Sequence, residues 1–274
     1  MSCNILIPMA GAGKRFSDAG YKESKPSIPT TDHRTGNKKP MVVCASLDLP
    51  LLESDGSNLI LVDRDFHRDN GTEANIKKYL PKARFITVDH LTEGQACTCL
   101  LAKELINNED ELLIAGCDNG MIINQDKFNT LRNECEVLVF TYRNNEAVLA
   151  NPNAYGWIKV DEHDNVLDVS VKKAISENPM NDHAIVATFW FKHGKDFVRC
   201  ANTMIKSDDR INNEFYVDKV VTYCLKAGLK TKVFEIDRYL GWGTPKDYED
   251  YENTISYWKE FVESSSFIPK DSIH

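Results

Sequence analysis

Short, densely apolar runs alternate with segments of helical periodicity through the first half of this 274-residue chain. Runs at 3–9, 58–63, 84–89, 111–117 and 136–142 read as strands, and several are apolar from end to end. Strands of that kind belong in a sheet covered on both faces, since polar alternation is expected only where one face meets water. Between them, 72–79 and 95–107 read as helices, the second opening in GQACTCLLAKELI with small and apolar residues at helical spacing. Such alternation predicts a parallel, doubly wound α/β sheet, with ligands at the carboxyl ends of its strands.

From about residue 145 the pattern changes. YGWIKVDEHDNVLDVSVKK holds two alternating stretches around a polar turn at 162–165, which predicts a hairpin. HAIVATFWFKHG reads as a further strand, 195–206 and 214–228 as helices, and KTKVFEID as strand again. In the tail, Tyr248, Tyr251, Ile255, Trp258 and Val262 recur at spacings of three and four, predicting a helix that lays one face on the core. The polar stretch 27–40, SIPTTDHRTGNKKP, reads as a surface loop. With no repeat and no low-complexity linker, one continuous domain is expected.

A net charge of -8 argues against non-specific nucleic-acid binding, yet leaves room for a local basic pocket around a polyanionic small molecule. The first apolar run is too short for a signal peptide, and no run approaches a bilayer span. None of the eight cysteines forms Cys-x-x-Cys and no His-Glu-x-x-His occurs, so free thiols in a reducing cytoplasm are expected rather than zinc.

Four polar clusters fall at strand ends. PMAGAGKRF, after the first strand, contains Gly11-Ala12-Gly13-Lys14-Arg15; KPSIP contains Lys25, which Pro26 biases toward extended backbone; TEGQA spans Thr92–Ala96; and AGCDNG contains Asp118. A nucleoside triphosphate needs close backbone amides, cations, a hard oxygen ligand for Mg²⁺ and a polar edge for its base. Gly11 and Gly13 permit the approach, Arg15 and Lys25 supply charge, Asp118 offers the carboxylate, and Gly94 and Gln95 can read base edges. Each also has a plain reading: a tight connector, a solvated lysine, a strand-ending aspartate, a first-turn glutamine.

These blocks, together with KKPMV, NNEFYVDKV and GWGTPKDYEDY, resemble the nucleotidyltransferase family that makes nucleotide-activated sugars. The resemblance spans nearly the whole chain and is nearest to small bacterial members of capsule and surface-polysaccharide pathways. It implies a Rossmann-like α/β fold with a mixed, mainly parallel sheet and a substrate lobe. The chain would then divide into a nucleotide-binding half (1–145), an acceptor-binding half (146–245) and a C-terminal helix and tail (246–274). Ala10, Gly11, Ala12, Gly13 and Lys14 fall on the triphosphate cradle with Arg15, and Lys25 on the lysine contacting the phosphates of both reactants. Thr92, Glu93, Gly94 and Gln95 fall where the base is read, and Asp118 on the magnesium aspartate. Tyr155, Gly156, Lys173, Asn213, Glu214 and Tyr216 fall on the acceptor side.

There are three departures from the pattern. Lys14 replaces a common Ser or Thr. Gly241 stands where many members carry a second metal-binding aspartate, which Asp218 or Asp237 would have to replace, although the capsule-type subgroup shares the glycine. Val171 replaces the glutamate of Glu-Lys-Pro, so the acceptor is left open between a sugar phosphate and a phosphorylated amino acid or choline-like compound. The resemblance implies a cytoplasmic Mg²⁺-dependent enzyme, a homo-oligomer in some members, using CTP first and dTTP or UTP next. A glycosyltransferase of related fold and a catalytically dead nucleotide-binding subunit are the alternatives.

Overall fold

The computed structural model describes residues 2–264. The tail expected after the last helix, at 265–274, lies outside these residues. The first half runs through β1 (Cys3–Pro8), α1 (Lys14–Asp18), β2 (Pro29–Thr31), β3 (Lys38–Pro40), α2 (Met41–Leu47), β4 (Leu59–Arg64), α3 (Asp65–Asp69), α4 (Thr72–Lys77), β5 (Arg84–Val88), α5 (Gln95–Leu100) and α6 (Lys103–Ile106). It continues with β6 (Glu111–Ile114), β7 (Asn119–Ile122), α7 (Gln125–Leu131) and β8 (Val137–Tyr142). The second half has β9 (Gly156–Val160), β10 (Val166–Val171), β11 (His183–Phe191), α8 (Gly194–Lys206), α9 (Val217–Lys226), β12 (Thr231–Glu235), β13 (Arg238–Gly241) and α10 (Pro245–Ser264).

Nine strands form one sheet. β1 lies between β4 and β6 in parallel, and β5 follows β4 in parallel. β11 then runs antiparallel to β6, β8 and β9, and β12 pairs parallel to β8. The sheet is therefore mixed and mainly parallel on the β1 side. β8 does not extend the parallel series, because β11 stands between it and β6.

Successive residues of each strand face opposite layers. Leu6, Ile60, Val62 and Ile114 join a cluster with Ala96, Phe197 and Val220, while Ile5, Ile7, Leu59, Leu61 and Leu113 join another with Val42, Ile76 and Phe128. That two-sided burial is why each of these strands carries consecutive apolar residues, at 5–7, 59–62 and 112–114. The hairpin of β9 and β10 forms as expected.

Five expectations change. The helix read over 95–107 divides into α5 and α6, and the 111–117 strand ends at Ile114. The helix read over 214–228 starts at Val217, because Phe215 is bonded to the Gly94 loop instead. The 27–40 loop is not simply a surface loop. It contains the β2–β3 hairpin, with Asp32 only 1% exposed at its turn. The Asp32 carboxylate accepts from Lys39 Nζ (2.5 Å), Arg34 Nε (2.9 Å) and Thr35 Oγ1 (3.1 Å), so its charges cancel inward. Finally, α10 packs through its first half only. Tyr248 and Tyr251 donate to Pro29 O and Thr31 O, whereas Trp258 and Val262 are 56% and 51% exposed. The strands that α10 meets, β2 and β13, lie against its N-terminal turns, so the regular spacing outlasts the surface it packs on.

Burial pushes the Asp32 carboxyl up, but donation from Lys39 and Arg34 outweighs it and leaves the group well below the usual carboxylate range. Its stabilisation is thus complete above the unfolded-state carboxylate pKa and is lost as pH falls through the depressed folded value. Asp32→Asn should cost about 3 kcal/mol at neutral pH, as expected when one partner of a buried ion pair is removed. Urea unfolding across pH 3–7 should show a shallower acid-side decline in the variant than in the parent; equal stabilities and slopes would mean that this carboxylate does not pin the hairpin.

Candidate active site

The chain leaves β1 with Met9 and Ala10 still buried, then exposes Gly11 and Ala12. Gly13 takes φ 61°, a left-handed turn that costs glycine little, and its carbonyl accepts from Phe16 N–H (3.0 Å) to start α1. Nothing lies within 4 Å of where a Cβ at Gly11 would stand, leaving the loop open to close approach. Among the described residues the N–H groups of Gly11, Ala12 and Gly13 donate to no protein acceptor. An anion can use them. Phe16 turns into an apolar cluster with Ile28, Met41 and Trp242, while Lys14 and Arg15 point out to solvent.

Lys25 opens a single 3₁₀ turn, Lys25–Ser27; the extended residue is Ser24, one place earlier than the proline rule predicts. Pro26 fits the first turn because its missing N–H would have had no helical partner there. From this turn Lys25 Nζ donates to Asp118 Oδ2 (2.5 Å) and Gly243 O (3.1 Å), and stands 5.4 Å from the Phe16 ring centre. Burial pulls its pKa down, yet the Asp118 charge and hydrogen bond more than offset that, so the ammonium is held above the ordinary lysine value.

Asp118 lies between β6 and β7, and its carbonyl accepts from Trp242 N–H (3.0 Å) just after β13. Its Oδ1 accepts no hydrogen bond among the described residues. Mg²⁺ commonly keeps several waters and takes one or two carboxylates plus substrate phosphates, so this lone carboxylate beside open amides fits such an ion. The further ligands named from sequence are elsewhere. Asp237 is at the opposite end of the β7–β13 ribbon, since Asn119 pairs with Gly241 and Ile122 with Arg238. Asp218 packs against Gly156: a Cβ there would stand 2.2 Å from Asp218 Oδ2. Burial pushes Asp218 up to about 6, partly opposed by Lys172.

The Thr92–Gln95 loop is pinned to the segment before α9. Glu93 O accepts from Phe215 N–H (2.8 Å), and Phe215 O from Ala96 N–H (2.9 Å). Gly94 sits between them at φ 125°, where a Cβ would stand 2.5 Å from Phe215 N. Only glycine fits. Thr92 Oγ1 bonds Thr98 Oγ1 (2.6 Å), while the Glu93 carboxylate turns to Arg210 (3.3 Å). Gly11, Thr92, Gly94, Gln95 and Glu214 line a cavity of about 360 Å³. A larger one, about 450 Å³, runs from Gly11 and Gln95 past Lys25 to Asp118. They share the glycine loop and form one cleft.

On the acceptor side, Tyr155 donates to Ala147 O (3.1 Å) and Tyr216 stands 5.5 Å beneath Lys172 Nζ. Asn213 is exposed at φ 65°. Lys173, the lysine named from sequence, is exposed with its carbonyl accepting from Ser170 Oγ (2.7 Å). Lys172 instead faces the cluster, its ammonium bonded to Ala154 O and its N–H to Tyr155 O (3.0 Å). Its left-handed φ of 57° breaks the strand alternation that would have set Lys173 inward beside Val171. Sequence reading also missed the Gly243 carbonyl and Tyr239, which no motif spacing marks.

No protein-family model and no curated protein matches the chain. Solved structures do. A nucleoside-diphosphate-sugar pyrophosphorylase from Vibrio cholerae RC9 superposes with a TM-score of 0.71 at 17% identity, covering 91% of this chain and 99% of its own. The inositol-1-phosphate CTP transferase from T. maritima gives 0.64 at 14%, covering 91% and 93%. A UDP-glucose pyrophosphorylase complexed with UDP-glucose gives 0.66 at 15%, covering 95% and 100%. At such identities the likeness is one of architecture, and the chain has the α/β nucleotidyltransferase fold.

Proposed function

We propose that this chain is a nucleotidyltransferase: it joins a nucleoside triphosphate, CTP, to a small phosphorylated acceptor and releases pyrophosphate, with Mg²⁺ as cofactor. The observation that carries this reading is Lys25, whose ammonium is held on Asp118 in a cleft that the open glycine loop also lines. CTP rests on the resemblance to the capsule-type members, as do a role in surface-polysaccharide synthesis and a cytoplasmic setting. No described helix is long and apolar enough to cross a bilayer.

An acceptor phosphate is already nucleophilic at neutral pH and attacks the α-phosphorus without a general base. The chain's work is alignment and charge neutralisation. The Gly11–Gly13 amides and Arg15 bind the leaving phosphates; Lys25 exchanges Asp118 for phosphate oxygens and stays charged throughout. Held by Asp118, Mg²⁺ supplies neutralisation of the phosphate oxygens. A glycosyltransferase of the Asp-x-Asp type would need a second carboxylate two residues after Asp118, where this chain, reading Asp118-Asn119-Gly120, has glycine. Pyrophosphate release across CTP, dTTP, UTP and a set of acceptor phosphates tests the reading; no release with any pair would overturn it.

Lys25→Ala should lower turnover by about 10²–10³-fold, the scale for losing one preorganised charge donor, with little change in triphosphate affinity. A change in affinity alone would make Lys25 peripheral.

Asp118→Asn should remove the response of turnover to Mg²⁺ and also change the pH profile. Without the carboxylate, burial of Lys25 is no longer opposed, so its pKa falls and residual activity should decline at alkaline pH where the parent stays level. Parallel profiles for parent and variant would contradict the assignment.

Lys14→Ser should weaken triphosphate binding by about 1–2 kcal/mol and reduce its salt dependence, as loss of one charge-assisted contact requires. Titrations at two ionic strengths that overlay the parent would show Lys14 to be a solvated surface charge.

A further inference from the structure

Beside the β7–β13 ribbon lies another cavity, of about 280 Å³, whose lining carries no basic side chain. It gathers three tyrosines, Tyr155, Tyr239 and Tyr251, and two carboxylates, Asp247 and Asp250. The phosphate cleft differs in having basic side chains, Lys22 and Lys25, which share its walls with Glu23 and Asp118.

The tyrosines are fixed before any ligand arrives. Tyr155 and Tyr251 donate to Ala147 O (3.1 Å) and Thr31 O (2.6 Å), so their hydroxyls are already engaged. Tyr239 stacks on Tyr142 at 4.4 Å with the rings 5° from parallel. Gly241 makes room for this wall: a Cβ there would stand 2.8 Å from Tyr239 Cε1. The glycine that departs from the Asp-x-Gly-Thr pattern therefore buys space for an aromatic ring.

The carboxylates are incompletely compensated. One oxygen of Asp247 accepts from Thr244 Oγ1 (2.7 Å), and Asp250 pairs only with the exposed Lys246 (2.5 Å). A neutral ligand would cover these charges without compensating them, whereas a cation against aromatic rings and carboxylates is favoured on both counts. The cavity also adjoins the phosphate end. Gly241, in its lining, is the strand partner of Asn119, and Trp242 N–H donates to Asp118 O (3.0 Å).

We propose that this cavity receives an ammonium centre, so that the second substrate is a phosphorylated amine, an amino alcohol or amino acid phosphate, rather than a sugar phosphate. The inference rests on the nucleotidyl-transfer reading for its phosphate end only. An acceptor with an anionic and a cationic end would match the cleft and the cavity in turn.

The test compares kcat/KM with CTP for phosphocholine, phosphoethanolamine and O-phosphoserine against glucose 1-phosphate and 3,3-dimethylbutyl phosphate, the uncharged isostere of phosphocholine. Calorimetric titration with tetramethylammonium and ethylammonium reads the cavity without any reaction and separates alkylated from primary amines. At least one cationic acceptor should exceed the neutral ones by about tenfold, within the range of cation–π recognition. Asp247→Asn should reduce that preference; because Asp247 also sits in the first turn of α10, the exposed Asp250→Asn serves as a second variant expected to act in the same direction. Equal or better use of the neutral isostere or glucose 1-phosphate, with neither ammonium ion binding, would overturn the inference and leave nucleotidyl transfer standing. Ammonium binding that weakens in both variants, with no pyrophosphate from any acceptor, would keep the cavity's assignment and overturn the nucleotidyl-transfer reading instead.

Discussion

The ion pair between Lys25 and Asp118 is the contact on which the site depends. It joins a turn near the N-terminus to the end of β6, and through the Gly243 carbonyl to the segment after β13. The three are distant in sequence, and each is positioned by its own packing: the turn by Phe16 and Ile28, Asp118 by the centre of the sheet, and Gly243 by the buried Trp242 beside it. Both charged side chains are partly buried, so each is costly without the other. In the proposed reaction, a phosphate arriving between them would offer Lys25 a second anionic partner and release a carboxylate oxygen. The resting pair thus keeps both groups charged and in place for substrate.

Close approaches of backbone shape the remaining walls. The Thr92–Gln95 loop can lie against Phe215 only because residue 94 has no side chain, and the Asp218 carboxylate can reach β9 only because residue 156 has none. Tyr239 fills the space over Gly241 in the same way. These contacts convert three glycines into shape: backbone closes on the Thr92–Gln95 loop, a carboxylate on β9, and an aromatic ring on β13.

Much of this was legible in the sequence because the sheet is covered on both faces. Runs such as 59–62 are apolar throughout and stand out from their flanks, and the glycine loop follows β1 as Asp118 follows β6, where a doubly wound sheet puts its ligands; Lys25 lies instead in the turn ahead of β2. The missed parts depend on long-range partners. β7 is four residues long and stable only against β13, over a hundred residues later. The buried Asp32 looks like any loop aspartate until Lys39 and Arg34 fold over it. The resemblance pointed to Lys173, but with residue 172 left-handed it is the Lys172 ammonium that bonds back to Ala154 O, and Lys173 is exposed. In α10, periodicity marks a possible packing face at Trp258 and Val262 but cannot say where the body of the protein ends.

The central claim is that an acceptor phosphate oxygen, aligned in this cleft, attacks the α-phosphorus of the triphosphate. Labelling the acceptor phosphate with ¹⁸O and following the product by ³¹P NMR tests it directly. Attack as described places an acceptor oxygen in the new phosphorus–oxygen–phosphorus bridge and leaves the released pyrophosphate unlabelled. Label in the pyrophosphate, or a product bridge free of it, would contradict the account.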